Sequence, residues 1–278
     1  MTKMDFQFDA VIKIGSMALI RKEDNDLDYN IFSRLAKDLH PGFILISSGA
    51  TEIGRLDYMK RNHKAELKGD IEEIKSDYAA QGQAILMQEY RRFIRPEYSV
   101  RQLLVEHSHF NDPEKKEHIT KLLYRAAQQN AIPIINYNDP VSSEENRKME
   151  ISALRGKEEE VVECVDNDET ASVIAQLVNT KVLLILSSVN GIYKDANDPS
   201  TLIREISAPT FSKIQEKLNE ALNYCSGSSR ALSQGACAKL KYTQGPLSKG
   251  TTVIIANAKY RIKDILNGKA EATKLFVG

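Results

Sequence analysis

Cysteine is scarce in this sequence. Cys164, Cys225 and Cys237 are the only three, an odd number at spacings that offer no paired metal ligands. That argues against a disulfide framework or a structural zinc site and makes a reducing compartment the natural setting. A charge excess of either sign is also missing. Lys plus Arg and Asp plus Glu are each 38, so the formal charge is zero. The chain has neither the basic surface of a general nucleic-acid binder nor a polybasic membrane patch. No apolar run approaches the ~18 residues of a spanning helix, and the opening MTKMDFQFDA holds no long apolar signal segment. Neither secretion nor membrane spanning is expected, and a cytoplasmic location is.

Several chemistry-bearing motifs are absent as well. Hydride transfer on a dinucleotide fold calls for GxGxxG in the first turn, and KIGSMA does not supply it. There is no G-x-S-x-G elbow for acyl transfer. The GxxxxGK[ST] loop is missing too, so a kinase built from this chain follows another design. The sequence has no internal repeat, no low-complexity tract and no linker long enough to mark off an independent domain. Its 278 residues suit one large lobe or two small ones.

What the chain does have is a recurring design in which an apolar run closes on polar or Gly-rich residues. AVIKI (10–14) contains Lys13 and runs into Gly15 and Ser16; FILI (43–46) opens onto Ser47, Ser48 and Gly49. PII (133–135) delivers Asn136, Tyr137, Asn138 and Asp139. VVECV (161–165) delivers Asp166, Asn167 and Asp168, and VLLIL (182–186) closes on Ser187 and Ser188 before a turn at Gly191. Any one of these could be an ordinary turn, and AVIKI alone reads equally well as an edge strand with a surface lysine. Repeated, they predict an α/β fold with a mainly parallel open sheet whose strand ends gather one polar crevice. The stretch 161–195 is the densest part of the pattern: an acidic cluster, a helix from Ala171 to Leu177, a buried strand and a polar strand end.

Between these runs, helix-spaced apolar residues predict helices over 29–39, 79–93, 114–129 and 211–222, with Gly82 marking close packing. Residues 55–78 read as a solvated loop or helical excursion, and 142–160 as a solvated hairpin or loop. His107 and His109 lack a nearby third ligand and read as loop histidines. Lys239 stands in SQGACAKL, at a helix entry. Thr251–Ala256 is the strongest late strand, and KLFV (274–277) reads as a final edge strand.

Lysine, backbone N–H groups and carboxylates in one crevice are the ingredients of phosphoryl transfer. Cationic and N–H donors meet the moving phosphate, and acidic residues orient Mg2+ or lysines.

The order and spacing of these elements resemble the amino acid kinase superfamily and, within it, the glutamate 5-kinases. The resemblance rests on Lys13-Ile14-Gly15-Ser16, Ser48-Gly49-Ala50, Gly82-Gln83 and Gln102-Leu103-Leu104. It continues through Ile132-Pro133-Ile134-Ile135-Asn136, Asn138-Asp139 and Asp166-Asn167-Asp168, then Gly191-Ile192-Tyr193, Asp198-Pro199, Lys239-Leu240 and Ile254-Ile255-Ala256. It implies a three-layer α/β sandwich of the carbamate kinase type, formed by a single domain over 1–278. Residues 1–180 would mainly serve the amino acid and 181–278 mainly the nucleotide. It also implies ATP- and Mg2+-dependent phosphorylation of the γ-carboxylate of glutamate.

In such an enzyme Lys13 contacts the transferring phosphate, Lys239 neutralises the nucleotide side, and Asp168 holds the two lysines. Ser48, Gly49, Asn136, Asp139 and Asn167 hold the amino acid. Gly15, Ser16, Ser187, Ser188, Gly191, Tyr193 and Gly235 line the nucleotide site. Two segments depart from the family pattern. Ser187-Ser188-Val189-Asn190 stands where the family reads Thr-Asp before the Gly-x-Tyr turn. Leu232-Ser233-Gln234-Gly235-Ala236 stands where it reads Gly-Thr-Gly-Gly-Met. The resemblance also leads to the expectation of a short form, without the C-terminal RNA-binding-like domain of the longer glutamate 5-kinases. A homo-oligomer is expected, without nucleic-acid or membrane partners. A relative phosphorylating another small acid, or a non-catalytic sensor of amino acid or nucleotide, would use similar residues.

Overall fold

In chain order the principal elements are β1 (Phe8–Ile14), α1 (Tyr29–Asp38), β2 (Phe43–Ser47), α2 (Ala50–Arg61), α3 (Ile71–Phe93), β3 (Ser99–Val105), α4 (Pro113–Gln128), β4 (Ala131–Tyr137), α5 (Glu144–Arg155), α6 (Asn167–Leu177), β5 (Thr180–Ser187), β6 (Glu205–Ala208), α7 (Phe211–Ser226), α8 (Gln244–Ser248), β7 (Thr252–Asn257), α9 (Ile262–Leu266) and β8 (Ala272–Val277). They come from a computed structural model that describes residues 7–156, 161–164, 166–195, 197–226 and 239–278. No helix among these residues is long and apolar enough to cross a membrane.

The chain divides into two units, each discontinuous in sequence. One comprises residues 1–14, 42–46 and 168–278, and the other 15–41 and 47–167. In the first unit the strands run in the order β6-β8-β7-β5-β1-β2. β1 pairs in parallel with β5, β5 with β7, and β6 with β8, while β7 and β8 are antiparallel. β1 is therefore an interior strand and not an edge one. From Ala10 to Ile14 every residue is buried, as a strand covered on both faces requires. β8 is interior too. The expectation of a final edge strand fails because strand order is set by tertiary pairing, which a local apolar run does not encode.

In the second unit β3 and β4 pair in parallel, with Leu104 opposite Asn136 and Val105 opposite Tyr137. Helix starts there are set by side-chain caps. Asp28, Asp70 and Asp112 each accept backbone N–H bonds from the first turns of α1, α3 and α4, and Pro113 sits in the first turn of α4. Residues 55–78 hold the end of α2, an exposed loop and the first turns of α3, the helical form of the expected excursion. The expected hairpin or loop over 142–160 is also corrected: 144–155 is a helix. Ser143 caps it by accepting from Asn146 N–H, Glu144 and Glu145 lie in its first turn, and Arg155 lies in its last. Only Ile151 of α5 is buried, so the apolar stripe that advertises a helix is missing.

α2 and α3 cross at two glycines. A Cβ on Gly82 would lie 1.9 Å from Ala50 O and 2.5 Å from Gly54 N, and a Cβ on Gly54 would lie 1.8 Å from Tyr78 O. The two helices touch backbone to backbone, which is the close packing Gly82 signals in the sequence.

Candidate active site

Lys13 is the one charged residue of β1 after Asp9, and its neighbours on the strand are apolar and buried. Its side chain is 8% exposed and its Nζ lies 2.8 Å from Asp168 Oδ1, itself on a side chain 15% exposed. Asp168 stands in the first turn of α6, where the helix N-terminus favours a carboxylate. Removing two charges from water costs several kcal/mol per ion unless they pair closely, so the short contact is what allows a lysine there. The ammonium is thus held at the end of an interior strand, with Gly15 and Ser16 following directly. Gly15 is extended (φ −77°, ψ 150°) and Ser16 opens a short 3-10 turn over Ser16–Ala18.

The second unit holds the residues expected to bind the acid. β2 ends on Ser47, which is fully buried and bonds Tyr90 OH at 2.7 Å. Burial pushes the Tyr90 phenol well above its ordinary pKa, so it stays neutral and anchors the strand end. Ser48 and Gly49 follow, both half-buried. Gly49 has φ +109°, a conformation that favours glycine, and a Cβ there would meet Ser16 Cα at 3.5 Å. Ser16 and Gly49 are therefore near neighbours.

At the end of β4, Asn136 is 2% exposed. Its Oδ1 accepts from Tyr137 N–H at 2.9 Å and from Asn167 Nδ2 at 2.9 Å, and its Nδ2 donates to Gln83 Oε1 at 2.8 Å. Asn167 Oδ1 in turn accepts from Tyr137 N–H at 3.2 Å. Two of the expected substrate residues are thus joined by direct amide contacts. Asp139, also expected at the substrate, has its carboxyl pushed up to about 6 by burial, with Arg147 of α5 pulling the other way. Arg147 also donates to Tyr137 OH at 3.4 Å, and that hydroxyl bonds Ser142 Oγ at 2.5 Å.

Tyr90 and Arg147 escaped the sequence reading of the site, and Gln83 entered it only as part of the resemblance, with no role assigned.

Among the residues expected at the nucleotide, Ser187 is 8% exposed at the end of β5 and its carbonyl accepts from Ala258 N–H at 2.8 Å. Ser188 is exposed, and its carbonyl accepts from Asn257 Nδ2 at 2.9 Å. Gly191 has a packing reason of its own. A Cβ there would lie 2.3 Å from Thr273 Oγ1, which accepts from Ile192 N–H at 2.8 Å and donates to Ile203 O at 2.6 Å. Tyr193 pairs with Leu202 in a short antiparallel ladder. Lys239 is half-buried in the helical residues 239–241. Gly235 and its loop lie outside the described residues. His107 sits in the turn after β3, as a loop histidine, but is buried: it is 3% exposed and its Nε2 lies 2.8 Å from Glu150. Among the described residues no group of three or more His, Cys, Asp or Glu is placed to hold a metal.

The whole chain has relatives among known proteins. The model of the amino acid kinase family matches residues 10–257. The chain is 31% identical over 278 residues to the glutamate 5-kinase of Geobacillus thermodenitrificans, covering 96% of this chain and 67% of that protein. It is 30% identical over 279 residues to the glutamate 5-kinase of Enterococcus faecalis, covering 96% and 94%. Among solved structures, the carbamate kinase of Giardia is similar with a TM-score of 0.59 at 17% identity, over 98% of this chain and 99% of that one. The UMP kinase of Ureaplasma parvum gives 0.52 at 14%, over 97% and 99%. These likenesses show the fold expected from the sequence, an α/β sandwich with a mixed, mainly parallel sheet flanked by helices. A match of this extent, together with two relatives of about this length or longer, decides the family: the chain belongs to the amino acid kinase family.

Proposed function

We propose that the chain transfers the γ-phosphoryl group of ATP to the γ-carboxylate of L-glutamate, giving the acyl phosphate that opens proline synthesis. The observation that carries this reading is the buried Lys13–Asp168 pair at 2.8 Å. A carboxylate acceptor is already a nucleophile, so no strong general base is needed. The obstacle is repulsion between the acceptor and the phosphates, and a fixed cation offsets it. In this reading Lys13 meets the transferring phosphate, Asp168 holds Lys13, and Lys239 serves the nucleotide side. Gly15 and Ser16 offer N–H groups to phosphate oxygens, while Ser187, Ser188, Gly191, Tyr193 and Gly235 serve the nucleotide. Ser48, Gly49, Asn136, Asp139 and Asn167 hold the amino acid. Mg2+ is most simply delivered on the ATP phosphates, because it keeps several waters and needs few protein carboxylates.

Glutamate is favoured over other acids by the two glutamate 5-kinase relatives and by the joined amides of Asn136 and Asn167. ADP release measured across glutamate, aspartate, UMP and carbamate tests the choice. Turnover with glutamate well above the others is expected. Preference for another acceptor would replace the substrate, and tight amino acid binding with no turnover would make the protein a sensor.

A further inference from the structure

Gln83 is 7% exposed on α3, and its Nε2 has no hydrogen-bond partner among the described residues. Amide O and N are hard to tell apart by shape, but here the chemistry fixes them. Tyr137 N–H is a backbone group and can only donate, so the Asn136 atom 2.9 Å from it is Oδ1. Asn136 Nδ2 is then the atom facing Gln83, and the Gln83 atom 2.8 Å away must be the acceptor Oε1. What remains is a buried NH2. The bonds therefore run in one direction, from Tyr137 N–H to Asn136, from Asn136 to Gln83, and outward from Gln83 Nε2. Each donor in such a chain is strengthened by the one behind it, so the positive end falls on Gln83. A buried donor left without a partner is costly, and so the residue is placed to meet an acceptor that arrives with a ligand.

We propose that Gln83 is a substrate-binding residue whose Nε2 donates to a carboxylate oxygen of the acid substrate. The proposal rests on the reading of the protein as a kinase of a small acid. The backbone crossing at Gly82 sets α3 close against α2, and the bond from Asn136 Nδ2 holds the buried Gln83 amide in place.

Gln83→Glu keeps the size and the acceptor facing Asn136 but replaces the donor with an oxygen that repels a carboxylate. Gln83→Leu removes both. The expected result is a KM for the acid raised roughly 10- to 100-fold, the scale of a lost hydrogen bond to a charged group. The KM for ATP should stay within about twofold, since the loss is confined to one substrate. A purely structural role would lower the melting temperature of both variants without splitting the two KM values. In wild-type protein the side-chain amide NMR signal of Gln83 should move on adding the acid and stay in place on adding ATP alone. That measurement decides the matter if the variants fail to fold. Wild-type acid affinity in both variants, or an unmoved amide signal in acid-saturated protein, overturns the role of Gln83. If the wild-type protein binds no acid at all, the kinase reading itself falls, which is a distinguishable outcome.

Discussion

At Asp139 burial and charge pull in opposite directions, and burial wins: its carboxyl is pushed up to about 6 although Arg147 is close by. A carboxylate whose pKa is higher in the folded protein than in the unfolded chain favours folding most below about pH 4. That contribution is lost as the pH rises through about 6. Asp139→Asn removes the ionisation and should therefore stabilise the protein at pH 7 by about 1–3 kcal/mol, with the gain vanishing near pH 4. If the ionised carboxylate holds the substrate ammonium, the same change raises the KM for the acid, and wild-type KM rises as the pH falls below about 6. Melting curves at both pH values and acid KM across that range check this. A variant less stable at pH 7 would contradict it. The candidate residues named from sequence were those at strand ends, because a polar group after an apolar run is visible locally. Tyr90 and Arg147 were not visible, and Gln83 was named only within the resemblance and without a role, because each takes its place through a partner on another element, such as Ser47 for Tyr90.

At the scale of elements, the glycine crossing of α2 and α3 sets the place of the proposed acid-binding residue Gln83. Gly82→Ala would put a Cβ 1.9 Å from a backbone oxygen, so whole helices must move apart rather than a side-chain tip. A loss of roughly 3 kcal/mol or more is expected, the range of severe overpacking, with acid binding weakened because Gln83 moves with the helix. Urea denaturation reads it, and an unchanged midpoint would show that the crossing yields easily. Gly82 was legible as a packing point, but Gly54 across from it was not, since a crossing needs both helices and the sequence displays them one at a time. α5 was missed for a different reason. It buries only Ile151, so it lacks a stripe, and its signals are the Ser143 cap, two acidic residues at the start and Arg155 at the end. The place of β8 inside the sheet was not legible at all, because Thr273 and Leu275 are as buried as an edge strand's inner face would be.

For the molecule as a whole, the account depends on a lysine from the first strand meeting an aspartate from a helix far along the chain. Each was recognisable as a site candidate, and the 2.8 Å contact between them is what the fold adds. The central claim is that this pair serves transfer of a phosphoryl group to a carboxylate. Hydroxylamine tests it most directly, because it attacks an acyl phosphate, releasing phosphate and leaving a stable hydroxamate. With ATP, Mg2+, glutamate and hydroxylamine, the account predicts one glutamyl hydroxamate for each ADP released. It also predicts a fall of at least about 10²- to 10³-fold in Lys13→Ala, the scale of a lost transition-state donor, in protein whose melting curve shows it still folded. ADP released without hydroxamate, or hydroxamate formed at the wild-type rate by folded Lys13→Ala, would contradict it.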